Sequence, residues 1–142
     1  MRGLRTELGY LLRVDKDASL LDALSDFARR HHIESAALVA IGALREVELG
    51  YFHVAEKRYD RRRLDGDYEL IHLAGNISML DGAPFVHAHV VLGDENLGCL
   101  SGHLFSAVVA VTVEVHLTAL PGRVDRRADA GTGINLLDMP EI

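Results

Sequence analysis

The chain has 142 residues, 49% of them hydrophobic, and a formal net charge of −6. With a mean hydropathy of +0.10, that is enough apolar material for one domain with a real core, which excludes global disorder. The acidic balance argues against binding nucleic acid through bulk electrostatics, and the single cysteine, Cys99, excludes an intrachain disulfide.

In chain order, Glu7 to Val14 reads as a first strand, with Leu8, Tyr10, Leu12 and Val14 on one face. A helix start follows. Ser19 with Asp22 beyond it resembles a capping box, and Asp17 is the other candidate cap. Leu20, Leu21, Leu24, Phe27 and Ala28 recur at helical spacing, and the helix is expected to end near His31 and His32. Ser35 to Ile41 is an apolar, buried-type strand ended by Gly42; Leu44, Val47, Leu49 and Tyr51 mark the next. Glu56 to Asp67 reads as a charged bridge. Tyr68 to Ser78 is a long strand in which Gly75 marks a bulge or a close approach.

Pro84 to Leu92 is a further strand. Val108 to Leu120 is the strongest, with Val109, Val111, Val113, Val115 and Leu117 on one face and Thr112, Glu114, His116 and Thr118 on the other. Pro121 and Gly122 break it. In the charged tail that follows, Ile134, Leu136 and Leu137 are expected to pack against the sheet or a neighbouring subunit. One long N-terminal helix followed by many strands predicts an α+β fold. The expectation is a single domain over residues 1–142 with a central, mainly antiparallel sheet.

The chemistry lies in the histidines. In an extended strand His87 and His89 share a face, about 6–7 Å apart. His103 lies beyond the turn signal Gly93-Asp-Glu-Asn96, so a folded-back strand would bring it beside them. Three neutral imidazoles meeting at one point make a site for a first-row metal, zinc first, with a fourth position open. A structural hydrogen-bonding cluster and a metal-free catalytic histidine are the other readings. Glu114, Glu69 and Asp94 are acids that could orient the imidazoles, although Glu114 also reads as a polar residue on a solvated face. Asn76 and Ser78 could aim polar groups at a substrate. Cys99 could offer a thiolate, a small buried hydrophobe being its plainer role.

With these residues assembled, the chain resembles the plants-and-prokaryotes conserved (PPC) domain family over nearly its whole length. The carriers are Ile41 to Phe52, Glu69 to Ser78, Phe85-Val-His-Ala-His89, Gly102-His-Leu104 and the tail around Gly131 to Ile134. Gly42 and Gly75 fit positions where the family also uses glycine. The family's Gly-Gly-His stands here as Ser101-Gly102-His103, a departure that bears on local backbone geometry alone. The resemblance implies a compact α+β domain and a homotrimer. In prokaryotic members it also implies metal, Zn2+ or another divalent transition ion, held by histidines matching His87, His89 and His103.

Three function classes follow. The first is a trimeric, metal-containing module with no assigned activity that binds a small molecule or a partner protein. The second is a small metal-dependent enzyme using metal-bound water, with Glu114 or Glu69 as general base. The third is a DNA-binding regulator, but the plant proteins' AT-hook has no counterpart here. The densest basic cluster, Arg58, Arg61, Arg62 and Arg63, is offset by Asp60, Asp65 and Asp67. No apolar run reaches the roughly 20 residues that cross a bilayer. The opening residues lack the apolar core of a secretion signal, so a cytoplasmic location is the expectation.

Overall fold

The structure, a computed structural model, describes residues 1–141. Its strands are β1 (Arg2–Arg5), β2 (Gly9–Asp15), β3 (Ala36–His53), β4 (Arg58–Leu80), β5 (Ala83–Gly93), β6 (Cys99–Ala119), β7 (Arg126–Ala128) and β8 (Asn135–Leu137). A single helix, α1 (Leu20–Arg30), lies between β2 and β3. The first six strands form one sheet in the order β1-β2-β6-β3-β4-β5, antiparallel at every pairing. That sheet curls until its edge strand β5 also pairs with the start of β6, His89 to Gly93 against His103 to Cys99. Strands β3, β4, β5 and β6 thereby close into a ring, in which β5 is paired on both edges from His89 to Gly93.

The expected α+β fold with one long N-terminal helix is overturned: the protein is mostly β, and α1 has only 11 residues. The helical apolar repeat stops at Ala28. The Ile33 amide then donates back to the Ala28 carbonyl at 2.9 Å, and His32 takes a left-handed φ of 54°. Ser19 is the N-cap, but its side chain makes no capping hydrogen bond, so the capping box does not form.

The second source of the error is the stretch Glu56 to Asp67. It is not a bridge: β3 and β4 run on through most of it as a paired hairpin, Phe52 opposite Tyr59 and Gly50 opposite Arg61. Most of that part of β4 is exposed, so no buried face imprints an apolar alternation on its sequence. Likewise, the two strands expected between Ser35 and Tyr51 are one, β3 (Ala36–His53). Gly42 sits at a register shift with φ 153°, where a Cβ would collide with the Thr112 carbonyl oxygen. Only glycine lets β3 continue there.

Core side chains come from the inward faces of the sheet, among them Leu12, Val14, Leu38, Leu44, Leu70, Leu73, Ile77, Val90, Leu92, Val109, Val113 and Val115. Helix α1 adds Leu20, Leu24, Phe27 and Ala28. Val111 leaves the expected face and is 67% exposed, because β6 carries extra residues against Gly42 and Leu44 of β3. The tail docks through polar contacts. The Met79 amide donates to the Val124 carbonyl at 2.8 Å, whereas Leu136 and Leu137 remain 42% and 41% exposed. No helix among the described residues is long and apolar enough to cross a membrane.

Candidate metal centre

Period-two alternation on β5 sends Val86, Ala88, Val90 and Leu92 into the core and leaves Phe85, His87 and His89 on the outer face. On β6 the same alternation buries Leu104 and turns His103 outward. The register then makes the site. His89 stands opposite His103 across the β5–β6 pairing, and Asn76 of β4 stands opposite His87. Each of the three histidines offers a ring nitrogen within 4.8 Å of the others, and the ring centroids lie 5.1–5.3 Å apart.

A glycine brings β4 close enough. Gly75 sits between the partners of His87 and His89, and a Cβ there would collide with the His87 carbonyl oxygen. The close approach expected at this residue is present; the strand carries no bulge there, its irregularity lying between Leu70 and His72.

His87 and His103 are half-buried, and His89 is exposed. Burial is the main reason that His87 and His103 titrate at about 4, far below an ordinary imidazole. The charge of Arg126 adds to the effect at His87; at His103 the other two histidines, Arg61 and Arg126 add to it. Both rings are therefore neutral at pH 7, the form that binds metal. His103 Nδ1 is buried and has no hydrogen-bond partner. An unpaired buried nitrogen costs about 1–3 kcal/mol, and nothing among the described residues fills the need.

These features fit a metal ion. Metal–nitrogen bonds of about 2.0–2.1 Å in a tetrahedral site put ligand nitrogens about 3.3 Å apart. Small χ rotations would bring the three rings to that spacing from a separation of at most 4.8 Å.

The other candidate residues fall in several places. Asn76 lies beside the cluster, and its Oδ1 accepts from Arg126 Nη2 at 2.9 Å. Ser78 Oγ accepts from Arg126 Nε at 2.7 Å. Glu69 and Glu114 instead line a shallow groove with Ile41, Gly42, Ile71 and Thr112, which holds none of the three histidines. Asp94 organises the β5–β6 turn: its Oδ1 accepts from the amides of Asn96 at 2.9 Å and Gly98 at 2.8 Å. Cys99 is exposed, not buried, and lies at the turn end of the pairing opposite Gly93, away from His103.

Sequence reasoning missed the surroundings. Tyr59 and Phe105 pack on His103 with centroids 5.2 and 4.6 Å away, and Arg61 Cζ lies 3.7 Å from the Phe105 ring centre. Arg126 reaches in from the tail. Reading Glu56 to Asp67 as a strand would have put Tyr59 and Arg61 on one face; no sequence signal marks Arg126.

Several solved structures share the fold, three of them as follows. A PPC protein from Pyrococcus horikoshii is 36% identical, with a TM-score of 0.85 over 94% of this chain and 92% of that one. A metal-containing protein from Archaeoglobus fulgidus is 35% identical, TM-score 0.84, covering 96% of this chain and 98% of that chain. A protein from Ralstonia eutropha, provisionally named DNA-binding, is 30% identical, TM-score 0.90, covering 97% and 96%. No curated protein is similar enough to this chain to count as a match. The model of the Plants and Prokaryotes Conserved (PCC) domain matches residues 2–121, and the chain belongs to that family.

Proposed function

We propose that the protein is a metal-holding module in which His87, His89 and His103 would bind one divalent first-row ion, zinc first, and present it to a small ligand. One observation carries this: three imidazole nitrogens from two strands converge within 4.8 Å, and no side chain among the described residues hydrogen-bonds any of the three rings. A purely structural histidine cluster would be expected to engage its ring nitrogens with carbonyls, hydroxyls or carboxylates. The metal-containing relative from Archaeoglobus fulgidus supports the same reading.

Bound there, the ion would supply a Lewis acid with a fourth position open. The chain's own residues do the rest. The β5–β6 register holds the rings in place, burial keeps His87 and His103 unprotonated, and Tyr59 and Phe105 shield His103 from water on one side.

The working unit in this reading is a homotrimer. Ile41 and Ile71, 53% and 50% exposed, share a groove on the outer face of the sheet, and a second copy would cover them. The DNA-binding name given to the Ralstonia eutropha relative finds little support in this chain. Its net charge is −6; Arg58 pairs with Glu56 and Asp60, and Arg45 with Asp17 and Glu46. Elemental analysis of purified protein tests the proposal: about one transition ion per chain supports it, and none sinks it.

A further inference from the structure

Arg126 is a half-buried guanidinium that pairs with no carboxylate among the described residues. Its three nitrogens donate to neutral oxygens: Nε to Ser78 Oγ at 2.7 Å, Nη2 to Asn76 Oδ1 at 2.9 Å and Nη1 to the Asn135 carbonyl at 2.9 Å. Nearby acids are engaged elsewhere, Asp125 and Glu34 by Arg123 and Asp138 by Arg127. Burial of this unpaired charge lowers the arginine's own pKa, which marks a cation held at a cost rather than stabilised in place. The fork is fixed nonetheless, and a guanidinium with five N–H groups keeps one free on each Nη after these three bonds.

The surroundings are cationic and aromatic. Phe85 lies under Arg126 with its ring centre 5.3 Å from Cζ. Arg61 lies over Phe105, and its carboxylate partner Glu48 is a distant 3.9 Å away. A divalent ion on the histidines would add positive charge beside Arg126 and Arg61. Like charges gathered in one place repel, and an anion among them relieves that repulsion.

We propose that Arg126 and the histidine centre together form a binding site for a small organic carboxylate, held by the free edge of the Arg126 fork beside the bound ion. The inference rests on the metal reading above. A guanidinium edge matches the two oxygens of a planar carboxylate. The rings of Phe85, Phe105 and Tyr59 suit an apolar substituent better than they suit a hydrated phosphate. Asn76 and Ser78 act as positioning residues that aim the arginine.

The test uses full-length protein loaded with cobalt(II), whose visible spectrum reports ligand entry, titrated with benzoate and separately with inorganic phosphate. Benzoate is expected to shift the wild-type spectrum saturably. Arg126→Gln is expected to keep cobalt and lose about tenfold or more in benzoate affinity, as loss of a charge-assisted hydrogen bond implies. Arg126→Lys should fall between, and Arg127→Gln should match wild type; should the glutamine variant not fold, the lysine variant decides. Equal benzoate affinity with and without Arg126 overturns the inference, as does a spectrum that responds to phosphate and ignores benzoate. A chain that takes up no cobalt overturns the metal reading and this inference with it. One that holds cobalt and ignores every anion overturns the inference alone.

Discussion

His103 stands directly across the β5–β6 pairing from His89, their ring centroids 5.3 Å apart. The turn between the strands sets this register, and Asp94 ties the turn through two backbone amides. A slip of one residue would send His103 inward and empty the site. Asp94→Ala is therefore expected to lower stability by about 1–2 kcal/mol and to weaken metal binding severalfold. Urea melts and zinc titration check both; unchanged metal affinity would remove the turn from the account.

Gly75→Ala probes the β4 side. A methyl group there meets the His87 backbone, and overpacking of this kind costs about 1–3 kcal/mol. Metal affinity should fall along with stability, because the shift moves His87 itself. A variant as stable as wild type with full metal content would show that β4 and β5 can separate freely.

The imidazoles make the metal-free protein sensitive to acid. His87 and His103 titrate at about 4 in the folded chain, mainly through burial, against an unfolded value of about 6.5. Between those values the unfolded chain binds protons that the folded chain refuses, so stability falls as pH drops through that window. Below it both states are protonated and the lost stability stays lost. Denaturant midpoints across the window should show this fall, and a His87→Asn, His103→Asn double variant should show a shallower one.

What the sequence revealed and what it hid have separate physical origins. The histidine trio was legible because a strand of alternating side chains and a Gly-rich turn are local signals, and the register that unites them follows from a short connection. The single continuous β3 and its pairing with β6, which completes the ring, were not legible, since Gly42 reads as a stop until its close approach to Thr112 is seen. The hairpin arm through Arg58 to Leu64 was hidden by its exposure. The end of α1 near His31 was legible; the fold class was not, because one helix of 11 residues was weighed too heavily against eight strands. Arg126 lay beyond reach: its contacts with Asn76 and Ser78 span the chain and leave no periodic trace.

Association is testable on the outer face of the sheet. Ile41→Asp with Ile71→Asp places two charges in the groove they share. Light scattering is expected to find wild type at three times 15.6 kDa and the double variant as a monomer. A monomeric wild type would end the trimer proposal and leave the metal centre within one chain.

The most direct measurement is the metal content of wild-type and His103→Ala protein, purified in parallel and then dialysed against excess zinc. About one tightly held ion per wild-type chain is expected, and none in the variant. Equal zinc in both, or none in either, would contradict that expectation.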